Sequence, residues 1–285
     1  MKTIQWYPGH MAKAMRLMED NLKLCDAVIF VLDARAPASS FNPRLADMVG
    51  GKPVLYLLTK ADMADGNAEI LCKKLKEGGK RALCLNALSQ KETRGLLAAM
   101  EETVREKLLK NREKGVAKPL RFLVAGVPNT GKSTVINLLA GGKKAVTGDK
   151  AGVTKTKQWV KCGTFELMDT PGTMPPNFEN QTFARRLAYL GSVNDDILAF
   201  DEIALALLEE LAEKYPDRLL SRYGIEGGEP LAMLDALCKK RGFLFSKDNF
   251  DYERGERALI DDLRKGRLGR VCFDGIEDLT AAGLI

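Results

Sequence analysis

Residues 126–133 have the spacing of a loop that binds phosphate groups, Gly-Val-Pro-Asn-Thr-Gly-Lys-Ser. Its glycines would let consecutive backbone N–H groups converge on phosphate oxygens, while the lysine adds positive charge and the serine hydroxyl suits Mg²⁺. The alternative is a glycine turn that merely precedes a helix, although all four fixed positions of the motif are present. Lys132 is expected to be catalytic as well, because its charge would face the β- and γ-phosphates. The residues expected to contact a nucleotide are Asn129, Thr130, Gly131, Lys132, Ser133 and Thr134.

A D-x-x-G segment, Asp169-Thr170-Pro171-Gly172, follows this loop in the chain. Such a segment is common in turns, but downstream of a phosphate loop it predicts a nucleotide switch. Asp169 would then hold Mg²⁺ through a water molecule, and the backbone N–H of Gly172 would meet the γ-phosphate. Thr154 lies between the two motifs and is placed to give Mg²⁺ a second hydroxyl group.

A third segment, Thr59-Lys60-Ala61-Asp62, has the residue types that recognise guanine. The Asp62 carboxylate can accept from guanine N1–H and N2–H₂, whereas adenine offers neither donor there, and a buried acceptor left without a partner is unfavourable. The stem of Lys60 would lie along the base, and a backbone N–H near Asn86 and Ala87 would meet guanine O6. These residues predict GTP as the substrate. If the tetrapeptide is only a surface turn, the protein would be an ATPase.

Five short apolar runs must position these motifs, because each motif comes just after one of them. The runs are residues 28–32, 54–58, 82–85, 122–125 and 165–168. Helix-length patterns separate most of them, which predicts an α/β domain with a mostly parallel sheet and helices on both faces. Ligands of such sheets gather at the carboxyl ends of the strands. Because the base motif precedes the phosphate loop, the reverse of the order in ordinary guanine-nucleotide switches, we interpret the domain as circularly permuted.

From residue 181 the pattern becomes helical, with predicted helices that end before Pro216, Gly242 and Gly266. The sequence therefore predicts a P-loop GTPase domain at residues 1–176 and a small all-α domain at residues 177–285. The second domain carries basic clusters at residues 239–241 and 264–270 that could contact an RNA backbone. Such clusters are also common as solvated helix ends.

Together these motifs resemble the circularly permuted GTPases over almost the whole chain. The resemblance includes the start Trp6-Tyr7-Pro8-Gly9-His10-Met11-Ala12-Lys13-Ala14 and the segment Asp33-Ala34-Arg35-Ala36-Pro37. Two departures are Thr59, where the family's N-K-x-D motif has asparagine, and Asn86-Ala87-Leu88, which is a loose version of the family's S-A-x. The resemblance implies a GTP hydrolase that binds the large (50S) ribosomal subunit, its rRNA and proteins, late in assembly and leaves after hydrolysis. It also implies that Asn129 helps to bind K⁺, although an asparagine that satisfies its own turn fits equally well.

The chain has no glutamine after Gly172 to orient the attacking water, since Thr173 and Met174 stand there. An amphipathic stretch at residues 11–24 directly precedes the first strand and would fill part of the position that permutation vacates. We therefore hypothesise that His10, the only histidine, orients the water, alone or once a partner orders its segment. A structural hydrogen bond is the alternative role for His10. A GTP-dependent assembly scaffold with negligible turnover is the alternative function.

The composition of the 285-residue chain is that of a globular protein, with 45% hydrophobic and 29% charged residues. No apolar run is long enough to span a membrane, and the six cysteines are scattered, so neither a membrane protein nor a zinc or disulfide framework is expected. The net charge of +6 favours a polyanionic partner. We expect a cytoplasmic monomer with GTP as substrate and with Mg²⁺ and K⁺ as its ions.

Overall fold

The computed structural model describes residues 9–142, 159–175, 178–246 and 249–285, with side chains from Met15 onward. Six strands form its central sheet: β1 (Ala27–Asp33), β2 (Val54–Thr59), β3 (Arg81–Cys84), β4 (Leu120–Ala125), β5 (Trp159–Cys162) and β6 (Phe165–Asp169). Their order is β3-β2-β1-β4-β6-β5, and every neighbouring pair is parallel except β5 with β6. The predicted α/β fold with a mostly parallel sheet is confirmed.

Five of these strands are the apolar runs of the sequence, and β5 is an addition to them. All seven residues of β1 are buried, as expected for a central strand that is covered on both faces. In β5, Val160 and Cys162 are buried whereas Lys161 is exposed. This alternation over only four residues belongs to an edge strand and is too short to stand out in the sequence.

Six helices accompany the sheet: α1 (Gly9–Leu22), α2 (Pro43–Val49), α3 (Gly66–Glu77), α4 (Thr93–Thr103), α5 (Arg105–Glu113) and α6 (Lys132–Leu139). The two faces of the sheet carry separate apolar cores, because alternate residues of β1 belong to different ones. Helix α1 buries Met15, Met18 and Leu22 in one of these cores, as the amphipathic pattern predicts. The side chain of Met11, the fourth member of the predicted stripe, lies outside the described residues. Asp65 caps α3 by accepting from the Asn67 N–H at 2.9 Å.

The remaining elements are mostly helical: α7 (Gln181–Tyr189), α8 (Phe200–Lys214), α9 (Pro216–Tyr223), α10 (Pro230–Arg241), the ribbon strands β7 (Leu244–Ser246) and β8 (Asn249–Phe250), α11 (Tyr252–Arg264) and α12 (Ile276–Ala281). Pro216 and Pro230 each begin a helix, where a missing N–H costs nothing. Gly224 and Gly242 end helices in the left-handed conformation. Helices α7 to α11 share one apolar core, and the two-stranded ribbon is an addition to the predicted all-α region.

The segment after α11 returns to the nucleotide domain. Val271 donates its N–H to the Met63 carbonyl oxygen at 3.1 Å, and Phe273 donates to that of Arg35 at 2.7 Å. The buried Asp274 carboxylate accepts from the Ser39 hydroxyl at 2.6 Å. Further along, three side chains enter a core of the sheet: Leu279, Ala282 and Leu284. The boundary near residue 176 stays a prediction, but residues 271–284 pack against the first domain.

The six cysteines are free thiols, five of them buried and Cys84 partly so. Within the described ranges, no group of histidine, cysteine and acidic side chains is arranged to hold a metal ion. No helix among the described residues is both long and apolar enough to cross a membrane.

Candidate functional site

The loop between β4 and α6 has the backbone of a phosphate-binding loop. Gly126 has a φ of +154°, and a Cβ there would collide with the Val31 carbonyl oxygen. Gly131, with a φ of +93°, is the N-cap of α6. Asn129 also has a positive φ, +61°, which asparagine tolerates better than most residues. The loop therefore leads into the N-terminus of α6, where the helix dipole and its N–H groups favour a phosphate group.

Lys132 is the first residue of α6, and its side chain turns back into the loop. Its ammonium group donates to the Val127 carbonyl oxygen at 2.8 Å, and the residue is only 7% exposed. Burial lowers the pKa of Lys132 to about 8, because the charged form loses hydration, and the Asp169 carboxylate opposes that shift. In the same loop, the Thr130 hydroxyl donates to the Val127 carbonyl oxygen at 3.1 Å, while Thr134 lies half-buried in the first turn of α6.

Ser133 and Asp169 meet at the ends of α6 and β6. The Ser133 hydroxyl donates to the Asp169 carboxylate at 2.7 Å. Mg²⁺ prefers such oxygen ligands, so the donor set fits the ion that the two motifs predict. When bound, Mg²⁺ would neutralise charge on the β- and γ-phosphates. The third predicted ligand, Thr154, lies outside the described residues.

Gly172 lies directly against the phosphate loop. A Cβ on Gly172 would come within 2.6 Å of the Pro128 backbone nitrogen and Cα, so any side chain there would displace the loop. The next residue, Thr173, donates its N–H to the Gly126 carbonyl oxygen at 3.3 Å, and its own carbonyl oxygen accepts from Asn42 at 3.1 Å. The D-x-x-G motif and the phosphate loop therefore share one edge of the sheet.

Thr59 joins the base motif to the phosphate loop. Its hydroxyl donates to the Thr130 carbonyl oxygen at 2.5 Å and lies 3.0 Å from that of Leu32. Thr59 is fully buried, at 0% exposure. The hydroxyl thus ties the two motifs together at the position where the N-K-x-D motif has asparagine. The two motifs converge although they are written in reversed order.

Lys60 adds a second link between the same motifs. With a left-handed φ of +59°, it directs its ammonium group to the Asn129 carbonyl oxygen at 2.6 Å and to the Asp33 carboxylate at 2.8 Å. Asp33 ends β1 beside Thr59, the end of β2. This ion pair was not assigned a role from the sequence, although an aspartate at a strand end next to the base motif was a usable signal.

Asp33 is held by a second cation, the buried guanidinium of Arg35. Arg35 donates to both carboxylate oxygens, at 2.9 and 2.8 Å. Burial by itself would raise the pKa of Asp33, but the charges of Arg35 and Lys60 outweigh it and keep that pKa well below the ordinary value. Asp33 is therefore ionised at any physiological pH, and Lys60 is held in one orientation.

The base-reading residues lie beyond the strand ends. Ala61 and Asp62 belong to a short 3-10 helix, Ala61–Met63, and the Asp62 side chain is exposed. The Ala61 N–H donates to the Leu85 carbonyl oxygen at 3.2 Å, which brings residues 85–88 beside this turn. There the Asn86 side chain accepts from the Leu88 N–H at 2.9 Å, and Ala87 is buried. The residues that the sequence predicts to read guanine therefore lie together at one corner of the sheet.

His10 lies in the first turn of α1, but its side chain is outside the described residues. Its predicted role in orienting water stays a prediction.

The helical region also contacts the phosphate loop, and this contact was not predicted from the sequence. The Asn129 amide nitrogen donates to the Gly191 carbonyl oxygen at 2.6 Å, and the Ser192 hydroxyl donates to that of Pro128 at 2.8 Å. Both partners follow the end of α7, more than 60 residues away in the chain. No local pattern could have identified them.

Known proteins have sequences and structures similar to those of this chain. The sequence model of a family described as "50S ribosome-binding GTPase" matches residues 121–222. Ribosome biogenesis GTPase A of Bacillus licheniformis is 41% identical over 281 residues, which cover 97% of this chain and 99% of that protein. The protein of the same name from Bacillus cereus is 41% identical over 283 residues, with 96% and 95% covered.

Two solved structures of YlqF are also similar to this chain. One is bound to GDP and the other, from T. maritima, is bound to GNP, and each is 26% identical to this chain. Their TM-scores are 0.67 and 0.64; 92% of this chain is covered in both cases, with 100% and 98% of theirs. With identity above 40% over nearly the full length of the Bacillus proteins, the ATPase alternative is set aside. The chain belongs to the ribosome biogenesis GTPase A family and is a GTP hydrolase.

Proposed function

We propose that this GTPase binds the large ribosomal subunit late in its assembly and leaves when GTP is hydrolysed. The names of its relatives support a ribosomal role, and the matched family model is described as binding the 50S subunit. The proposed setting is the cytoplasm, where the chain would act as a monomer.

The observation that carries this proposal is the pair of hydrogen bonds between the phosphate loop and the end of α7. Pro128 accepts from Ser192, and Asn129 donates to Gly191, which both directly follow α7, the first helix of the helical region. A loop that shifts with the γ-phosphate would therefore act directly on that region, without a separate relay. In our proposal, GTP favours the arrangement of the helical region that binds the subunit.

In this proposal, the nucleotide-binding residues have separate roles. Lys132 and the backbone of residues 129–134 hold the phosphates, and Gly172 meets the γ-phosphate through its N–H. Ser133, Thr154 and Asp169 hold Mg²⁺, the ion typical of this class of GTPase. At the other end, Asp62 selects guanine, Thr59 and Lys60 fix the base motif to the loop, and Ala61, Asn86 and Ala87 line the base.

Hydrolysis needs a group that positions water, and we assign that role to His10. K⁺ would add charge stabilisation beside Asn129. The amide oxygen of Asn129 is the atom suited to K⁺, because the amide nitrogen donates to Gly191. With large subunits present, His10→Ala should lose most of its turnover while its affinity for GTP stays unchanged. Unchanged turnover would remove His10 from the mechanism.

Only some residues of the two basic clusters are available for the proposed RNA contact. Lys239, Lys240 and Arg270 are exposed, and none of them forms an ion pair within the described part of the chain. By contrast, Arg264 binds Asp195, and Arg267 binds Asp261 and Asp262. If the exposed residues contact rRNA phosphates, subunit binding should weaken steeply with salt, whereas a flat response would indicate a contact dominated by protein.

The deciding experiment measures GTP turnover with and without large subunits, in K⁺ and in Na⁺. We expect a rate that rises with subunits and is higher in K⁺. A protein that binds subunits in a GTP-dependent way but shows no stimulated turnover would instead be the assembly scaffold. No binding to subunits in either nucleotide state would reject the proposed function.

A further inference from the structure

A pocket of 560 Å³ lies between α11 and the segment that leads into α8. Its volume is in the range of small-ligand sites. Five carboxylates and one guanidinium line it: Asp195, Asp196, Asp201, Glu253, Glu256 and Arg257. The pocket is therefore acidic in a chain whose net charge is +6.

Part of this negative charge is already compensated. Asp195 accepts two hydrogen bonds from Arg264, at 2.7 and 2.8 Å, and Glu253 pairs with Arg257 at 3.2 Å. In the described ranges, Asp196 and Asp201 form no ion pair, and both are exposed to water. The uncompensated negative charge of Asp196 and Asp201 therefore lies where the pocket meets water.

Glu256 is the residue that points to a ligand. It is only 7% exposed, yet it forms no hydrogen bond or ion pair with any described residue. Glu256 itself lines the pocket, as do Asp201, Glu253 and Arg257, whose charges act on its carboxylate. Burial first, and then the two carboxylates, raise the pKa of Glu256 to about 7. A carboxylate with so little contact with water and no protein donor is unfavourable, and an entering cation would relieve it.

The walls suit an organic cation with an aliphatic stem. No three acidic residues of the described chain converge closely enough to hold a metal ion. Leu198, Ala199 and Phe200 supply an apolar side, and the Phe200 ring already carries the Arg257 guanidinium at 4.8 Å. An arginine or lysine can bury its stem against such a wall while its N–H groups reach the carboxylates.

We propose that this pocket binds an arginine or lysine side chain of a protein on the large ribosomal subunit. The identity of the partner rests on the proposed function, whereas the preference for a cation rests on the pocket itself. The carboxylates would repel an rRNA phosphate. A protein that packs on rRNA must itself carry lysine and arginine to neutralise phosphates, so it can present such a side chain.

The first test titrates a short peptide of alternating arginine and glycine into the full chain by calorimetry. The variant combines Glu256→Gln with Asp201→Asn. The control is Glu209→Gln, which removes an exposed carboxylate from α8, the helix that contains Asp201. We expect the double variant to bind the peptide at least tenfold more weakly and the control to bind like the wild type. Equal affinity of the double variant and the wild type would overturn the inference. Tighter binding of spermidine or Mg²⁺ than of the peptide would overturn the assignment to a protein side chain.

Folding is checked through the melting temperature of Glu256→Gln, which should equal or exceed that of the wild type at pH 8, because the substitution removes an uncompensated charge. Below the ordinary carboxyl pKa near 4.5 the two should differ little. As pH rises from about 4.5 to about 7, the wild type should lose stability relative to the variant. A variant that melts lower at pH 8 would show that Glu256 is a structural residue, contrary to the inference.

The second test measures the affinity of the double variant for large subunits in the GTP-bound state, which we expect to fall about fivefold or more. If the wild type binds subunits and the double variant binds them equally well, the pocket inference fails and the proposed function stands. If the wild type does not bind subunits, the proposed function fails, and the peptide titration alone decides whether the pocket takes a cation.

Discussion

At the scale of single residues, Lys60 connects three parts of the molecule through one ammonium group. It touches the phosphate loop at Asn129 and the buried Asp33 at the end of β1. Asp33 in turn holds Arg35, whose guanidinium lies 3.4 Å from the Leu263 carbonyl oxygen at the end of α11. The predicted guanine motif is therefore held in place by buried charges at the end of β1.

We predict that Asp33→Asn lowers the affinity for GTP about tenfold, or ~1.4 kcal/mol, while the weak affinity for ATP stays the same. Lys60 would lose the anion that orients it, and base recognition would lose more than phosphate binding. The measurement is competition of GTP and ATP for the same site. The control is Asp262→Asn, which also removes a buried carboxylate held by arginines, but in the helical region. Equal losses for GTP and ATP would mean that Asp33 only stabilises the fold.

Lys132 should take up protons when a nucleotide binds. Its pKa of about 8 in the nucleotide-free protein should rise when the phosphates of GDP approach, because negative charge favours the ammonium form. Binding should therefore take up few protons at pH 7 and progressively more towards pH 9. Calorimetry in buffers of different ionisation enthalpy measures this uptake. Uptake that does not change across this range would show that Lys132 is not the group that meets the phosphates.

At the scale of elements, α12 and the residues around it complete an apolar core of the sheet. The other residues of that core lie mostly in the first half of the chain. Leu279 is fully buried in the core that also contains Met15, Leu22 and Leu71. The helix itself has only six residues and could not persist without this packing. Its contribution is to the nucleotide domain and not only to its own region.

Leu279→Ala should cost ~3 kcal/mol of unfolding free energy, from lost burial and the cavity left behind. The matched control is Leu220→Ala, whose side chain is 48% exposed and whose loss should cost no more than ~0.5 kcal/mol. Denaturant unfolding is followed by circular dichroism and by release of a fluorescent GDP analogue. If release of the nucleotide keeps its midpoint in Leu279→Ala, α12 does not support the nucleotide domain.

The strands that hold the site could be predicted from the sequence because each is a continuous apolar run next to a motif of fixed spacing. The short edge strand β5 and the ribbon of β7 and β8 were missed, since strands of two to four residues carry little signal. The contacts of Asn129 with Gly191 and of Ser39 with Asp274 were also missed. Such contacts depend on how distant segments fold back, which no local spacing encodes.

At the scale of the whole molecule, the phosphate loop and the helical region are in direct contact through two hydrogen bonds. Arg264 strengthens this connection, because it donates to the carbonyl oxygens of Ala188 and Tyr189 at the end of α7 and also binds Asp195. The turn after α7, which contacts the loop through Gly191 and Ser192, is thus also held by Arg264 at the end of α11. A shift of the loop would be transmitted to a rigid partner.

We predict that Ser192→Ala reduces the preference of the protein for large subunits in the GTP state over the GDP state by about threefold. The substitution removes one hydrogen bond to the loop, and such a bond contributes on the order of 1 kcal/mol. The measurement compares subunit affinity with a GTP analogue and with GDP. Thr103→Ala is the control, since it removes another buried hydroxyl that donates to a carbonyl oxygen, remote from the loop. An unchanged preference in Ser192→Ala would show that this contact does not transmit the nucleotide state.

The return of residues 271–284 to the first domain also governs when the protein can mature during its own synthesis. A ribosome makes the strands of the nucleotide domain first, yet Leu279 and Leu284, which complete one of its cores, emerge only after the whole helical region. Until then the nascent chain exposes apolar surface and lacks the Asp274 anchor for Ser39. A partly made chain therefore cannot yet form the finished switch, and competence arrives only when that last segment docks.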